Sequence, residues 1–201
     1  MYFTKKMQND IAKKVLSRNY NLYAIKLGTG VYTEDAAELE QLVDLMFAAW
    51  RKIVISRSRG YMKNYDGVIK RLFFRYVKEK GGYEPYFYLL CLRKKKELKV
   101  TEEYKIKIEE EKLRIQTYIK WFSAWANALK LCTQVSVNFS LVELENLETI
   151  IGKFCTNEKY TLQPLIDDTK RELLKIASGN KKHKLVSFHG VFNNRQLSVE
   201  R

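Results

Sequence analysis

The residues best placed to do chemistry fall on two short alternating runs. Arg71, Phe73 and Arg75 are spaced two apart, and so are Glu84, Tyr86 and Tyr88. Side chains alternate along a β-strand, so each trio shares one face of its own strand. One trio sets guanidinium groups around a ring. The other sets a carboxylate beside two phenols. Neutral phenol is a poor ligand for a divalent ion, and a lone carboxylate is a weak one; Tyr160, elsewhere in the chain, could in principle act as a nucleophile, but no metal would activate a phosphate for it. The two histidines, His183 and His189, lie six residues apart near the C-terminal end. Strand parity would place them on one face, but no further ligand accompanies them, and they read as satisfied or exposed histidines. Cys91, Cys132 and Cys155 are far apart, form no CxxC pair and are odd in number. Each sits in an apolar stretch, which predicts buried free thiols and a reducing cytoplasm. Gly28-Thr29-Gly30 lacks the pattern of a phosphate-cradling loop. These residues imply no metal and no cofactor, and no Ser/His/Asp or Cys/His arrangement can be identified.

The elements that must position these groups read as follows. Residues 7–18 predict a short basic helix, and Asn21 to Leu27 a strand ended by the Gly28-Thr29-Gly30 break. Thr33 can cap a helix, with Glu34 and Asp35 at its positive end. Leu39, Leu42, Val43, Met46, Trp50 and Ile53 recur at steps of three and four, which predicts its core face. Ser56 to Asp66 reads as a basic loop holding Arg57, Arg59 and Lys63. Val68 to Val77 and Tyr86 to Leu92 read as an antiparallel pair around Gly81-Gly82, followed by four cations, Arg93 to Lys96. Residues 97–111 read as a loop or a helix start. Leu113, Tyr118, Phe122, Trp125 and Leu129 outline a second long helix. Gln134 to Phe139 reads as a strand, Leu141 to Phe154 and Leu165 to Ala177 as helices, and Lys184 to Phe192 as a last strand. The order predicts one α+β domain over residues 1–201, with its core at about 20–195 and a mostly antiparallel sheet covered by helices. Its centre, β-α-β-β-α-β, is the ferredoxin-like arrangement.

Charge bears on the partner. The net charge is +14, and it is uneven. Residues 1–100 carry 21 Lys and Arg against 10 Asp and Glu, and the remainder carries 16 against 13. Such an excess predicts a polyanion partner, nucleic acid ahead of a membrane surface, with a merely basic soluble surface as the alternative. No apolar run is long enough for a transmembrane helix, and the first residues lack a signal-peptide core.

The stretch from Gly67 to Leu90 resembles the core of the rolling-circle plasmid replication initiators, a branch of the HUH endonucleases. In that family a glycine-led strand carrying a glutamate precedes a turn and the run Tyr-His-Pro-His-Phe-His-Val-Leu. Here the frame reads Tyr83-Glu84-Pro85-Tyr86-Phe87-Tyr88-Leu89-Leu90. Tyr83, Pro85, Phe87 and Leu90 fit, while Glu84, Tyr86 and Tyr88 stand at the three histidine positions. Colinear pieces are similar as well: Ala48 to Lys52, Trp121 to Leu131, Gln134 to Val137, and Lys184 to Phe192 with its closing Gly190-Val191-Phe192.

Members of that family cut one DNA strand with a tyrosine, while a histidine-held divalent ion polarises the phosphate. The resemblance maps the family's strand carboxylate to Phe73 and its Lys-Tyr nucleophile pair to Lys153-Phe154. It therefore implies a degenerate site at Phe73, Glu84, Tyr86, Tyr88 and Phe154, with no catalytic residue. It also implies that the two alternating trios meet on one sheet face. That face either stacks single-stranded bases between arginines or simply fills the space a metal would take. The expected nucleic-acid contacts are Arg57, Arg59, Lys63, Arg71, Arg75, Tyr86, Tyr88 and Arg93, Lys94, Lys95 and Lys96, the basic loop and run being otherwise a solvated rim. The expectation is a non-catalytic binder of DNA, ahead of RNA, in a bacterial cell or the host of a mobile element. One alternative is an inhibitor that binds a host nucleic-acid enzyme, such as a CRISPR effector. Another is a residual nickase with atypical ligands.

Overall fold

A computed structural model describes residues 5–16, 19–55, 64–95, 103–130, 135–155 and 186–192. Its elements are α1 (Lys5–Leu16), β1 (Tyr20–Gly28), α2 (Ala36–Ile55), β2 (Gly67–Val77), β3 (Gly82–Lys94), α3 (Glu103–Leu129), β4 (Ser136–Leu141), α4 (Leu147–Cys155) and β5 (Val186–Gly190). The chain is α+β. The five strands form one sheet in the order β4-β1-β3-β2-β5, and every neighbouring pair is antiparallel. The predicted helix over Leu165 to Ala177 lies outside the described residues.

Two apolar layers follow from strand parity. Odd positions of β1 and β3, among them Tyr23, Ile25, Leu27, Phe87, Leu89 and Cys91, face α2 and α3. All six residues of the predicted α2 stripe are buried. The cap differs from expectation: Asp35 Oδ1 accepts the Glu38 N–H at 2.8 Å and so caps α2. Thr33 is held elsewhere, because its backbone exchanges two hydrogen bonds with Tyr83 while its hydroxyl accepts the Asp35 N–H. On the other face, Leu22, Ala24, Ile69, Leu90 and Leu92 meet Ile11 and Val15 of α1 and Leu147 and Ile151 of α4.

Helix α3 corrects one expectation. Trp125 and Leu129 are core, but Leu113, Tyr118 and Phe122 are exposed; Trp121, Ala124 and Ala128 complete the buried face instead. The reasons are face and reach: Phe122, next to the buried Trp121, turns away from the sheet. The helix is 27 residues long, about 40 Å at 1.5 Å per residue, and only its C-terminal half lies over the sheet. Leu141 also departs from the predicted helix, ending the edge strand β4 in register with Tyr23. At the β2–β3 turn, Gly81 takes the left-handed conformation at φ 61° that favours glycine.

Candidate functional site

The hairpin register brings the two alternating trios together. Arg75 lies opposite Glu84, Phe73 opposite Tyr86, and Arg71 opposite Tyr88. Glu84 is fully buried. Its Oε2 accepts from Arg75 Nη2 at 2.9 Å and from Lys26 Nζ at 3.4 Å, and its Oε1 accepts the Gly30 N–H at 3.3 Å. Gly28 makes room for it, since a Cβ there would lie 2.2 Å from Oε1. The Gly28 carbonyl in turn accepts Trp125 Nε1–H at 2.8 Å. The end of β1, the start of β3 and α3 are thus tied around one carboxylate. Burial lowers the Lys26 ammonium from its ordinary range, and Glu84 opposes that shift.

A row of cations and rings continues from this carboxylate across the sheet. The Lys26 ammonium sits 4.2 Å from the centre of the Tyr86 ring. Tyr86 stacks on Phe73 with centroids 5.7 Å apart and planes 17° from parallel. The Arg71 guanidinium lies 5.1 Å from the Phe73 ring, and Tyr88 meets that ring edge-on at 6.1 Å. Phe73 is buried, and Tyr86 is flanked by partners on both neighbouring strands. A nucleobase would have to displace Lys26 or Phe73 to stack on it. Of the two uses weighed for these rings, space-filling fits the buried Phe73, while Tyr86 and Tyr88 are half-buried. Burial pushes the Tyr86 hydroxyl up to about 12 and raises Tyr88 as well, so both phenols stay protonated near neutral pH.

The divalent ion implied by the resemblance does not fit these residues. The one carboxylate here is already bonded by two cations, and an added ion would meet both. Among the described residues, no group of three His, Cys, Asp or Glu side chains is assembled to hold a metal. His189 lies on β5 opposite Val68, with its ring 6.3 Å from Trp50. Cys91 is a buried free thiol, pushed well above its ordinary range by burial.

Of the predicted basic contacts, Arg71 and Arg75 belong to this row, while Arg93, Lys94 and Lys95 do not join it. Arg93 and Lys94 end β3 and Lys95 follows it, ten residues beyond Glu84, or about 34 Å at 3.4 Å per residue. The Lys94 N–H donates to Asp66 Oδ2 and the Lys95 N–H to the Asn19 carbonyl, both at 2.8 Å. This pins the backbone while the Lys94 and Lys95 side chains stay exposed. Lys107 and Arg114, on the overhanging half of α3, border the same place and were not singled out in the sequence. Between them lies a cleft of about 330 Å³ over the end of the sheet. Lys26 was also missed, although parity after Leu22 and Ala24 puts it on the Glu84 face. Arg57, Arg59, Lys63, Lys96, His183, Cys132 and Tyr160 lie outside the described residues. Phe154 and Cys155 lie on α4, with side chains outside the described set.

No helix among the described residues is long and apolar enough to cross a membrane. No family model, curated protein or solved structure matches the chain.

Proposed function

We propose that this chain is a non-catalytic nucleic-acid-binding protein built on the body of a rolling-circle initiator, acting by occupying DNA, or less favourably RNA, so that another machine is regulated or blocked. The β-α-β-β-α-β order, with α2 and α3 on one face of an antiparallel sheet, supports a ferredoxin-like, HUH-type core. One observation carries the reading: Glu84, which stands beside the positions where the resemblance places the metal ligands (Phe73, Tyr86 and Tyr88), is the carboxylate of this row and is already bonded by Arg75 and Lys26. The net charge of +14 supplies the attraction to a polyanion. Fluorescence anisotropy at low salt with single-stranded DNA, duplex DNA and RNA tests the binding; no binding to any of them sinks the reading. Incubation with supercoiled plasmid and Mg²⁺ or Mn²⁺ should give neither nicks nor a covalent protein–DNA adduct. An adduct would make the chain a nickase.

A second reading, an inhibitor that grips a host nucleic-acid enzyme, is favoured by the outer face of α3. Tyr104, Ile108, Ile115 and Ile119 are exposed there. Exposed apolar surface of this kind marks protein contacts. A partner retained from bacterial lysate after nuclease treatment supports this reading, and loss of every partner on that treatment removes it.

A further inference from the structure

We infer that the cleft under the overhanging half of α3 is a nucleotide subsite that takes one unpaired base of a single strand, with its phosphates on the rim; this rests on the nucleic-acid-binding reading. The cleft arises because α3 changes character along one face. Trp121, Trp125 and Ala128 pack on the sheet, while Lys107, Glu110, Arg114 and Thr117 continue that face over the sheet end. Polar side chains do not close down on an apolar floor, so a space of about 330 Å³ stays open. That volume is at the small end of ligand sites, which run from roughly 300 Å³.

Its walls sort by chemistry. Tyr23 and Phe139, stacked on each other at 5.2 Å and nearly buried, turn ring edges to the floor, and Leu113 and Leu141 form partly exposed apolar sides. A planar base gains by burying its faces against such apolar walls whatever its identity. Arg93, Lys94, Lys95 and Lys107 line one part of the rim, where phosphate oxygens would be neutralised. Glu110 and Glu143 also line the cleft, and Glu111 bonds Arg114 Nε at 2.7 Å. Carboxylates repel phosphate but accept hydrogen bonds from the amino and imino groups of a base. Asn21, whose Nδ2 donates to the Tyr23 hydroxyl at 3.4 Å, adds an amide to the same wall. A polyphosphate alone would meet these acids without compensation. A duplex keeps its bases stacked and could not insert one.

The test uses the full chain and two labelled probes of about 12 nucleotides, a length within known single-strand site sizes. One is oligodeoxythymidine. The other is the same deoxyribose-phosphate chain without bases. The charge is equal, so the difference reads the base. Oligodeoxythymidine should bind roughly tenfold tighter than the abasic chain. Thr117→Trp fills the cleft from a half-buried helix position, and it should bring the two probes to the same affinity. Lys107→Glu should weaken both. Equal affinities for the wild type, with both probes bound, overturn the subsite and leave the nucleic-acid reading standing. So does a folded Thr117→Trp variant that still prefers the base-bearing probe. Failure of the wild type to bind either probe, or duplex or RNA, overturns both readings.

Discussion

Two buried charges on opposite sides of the sheet are handled in opposite ways. Glu84 is fully enclosed but bonded by Arg75, Lys26 and a backbone N–H. Removing it strands Lys26, whose side chain is 16 % exposed, more than Arg75, which is half open to solvent. Breaking a buried pair costs up to about 5 kcal/mol, and the exposed arginine reduces that. Glu84→Ala should therefore lower stability by about 3 kcal/mol in urea unfolding, and Glu84→Gln by less; a neutral alanine variant would refute the clamp. Lys70, by contrast, is caged by aromatic rings, its ammonium 4.0 Å from the centres of both Phe47 and Phe87. Burial lowers its pKa from 10.5 to about 7. Between those values the unfolded chain keeps a proton that the folded chain has lost, so this residue makes stability rise with pH from about 7 upward. Below about 7 both states hold the proton and its contribution is flat. The slope is at most about 1.4 kcal/mol per pH unit. Urea midpoints at pH 6, 7, 8 and 9 should show the rise, and Lys70→Met should flatten it; an unchanged slope would assign it elsewhere. Parity from Leu72 and Phe74 put Lys70 on the core face, but a lysine inside an aromatic cage has no signature in one strand, because Phe47 and Phe87 come from other elements.

At the scale of elements, strand parity was the most legible signal. It put Arg71, Phe73 and Arg75 on one face and Glu84, Tyr86 and Tyr88 on another strand's, while that the two trios meet was implied by the resemblance alone; the register does set them opposite each other. The α2 stripe was legible for the same reason, a fixed period against one surface. Helix α3 was not, because spacing reports a face and not how far the sheet beneath it extends. Its aromatic residues suggested core at Tyr118 and Phe122, yet Phe122 follows the buried Trp121 on the outward side of the helix, and Tyr118 lies just before the first buried turn. The cap of α2 was misjudged by two residues because Thr33 also serves β3, a tertiary demand invisible locally. The join between α3 and β1 rests on Trp125, the donor to the Gly28 carbonyl. Trp125→Phe keeps much of the ring contact but leaves that buried carbonyl without its donor, which should cost about 2 kcal/mol and open the Glu84 corner. Hydrogen exchange at Gly30 would report it, with faster exchange expected; full protection would mean the bond carries little.

For the whole molecule, charge was legible in amount and in its bias toward the first half, but its placement was not. Arg93 to Lys95 looked contiguous in function with the aromatic row, yet β3 holds them at its opposite ends. Arg71 and Arg75 looked like phosphate contacts, yet Arg75 is engaged with Glu84 and Arg71 lies over Phe73. The cations expected to govern binding are therefore those at the far end of β3. Lys94→Ala with Lys95→Ala should weaken binding to single strands at low salt and reduce the slope of log affinity against log salt by about 1.4, at roughly 0.7 per lost phosphate contact. Arg71→Ala should leave that slope unchanged. The reverse pattern would return the phosphate path to the aromatic row.

The Lys26–Glu84–Arg75 clamp also decides how readily this corner could be made to hold an ion. If histidines were placed at positions 86 and 88, an incoming ion would still face an ammonium and a guanidinium, both bonded to the carboxylate beside it. Freeing that carboxylate means removing both cations, and removing them first strands a buried negative charge. Whichever charge is removed first, building an ion site at this corner thus passes through a less stable protein.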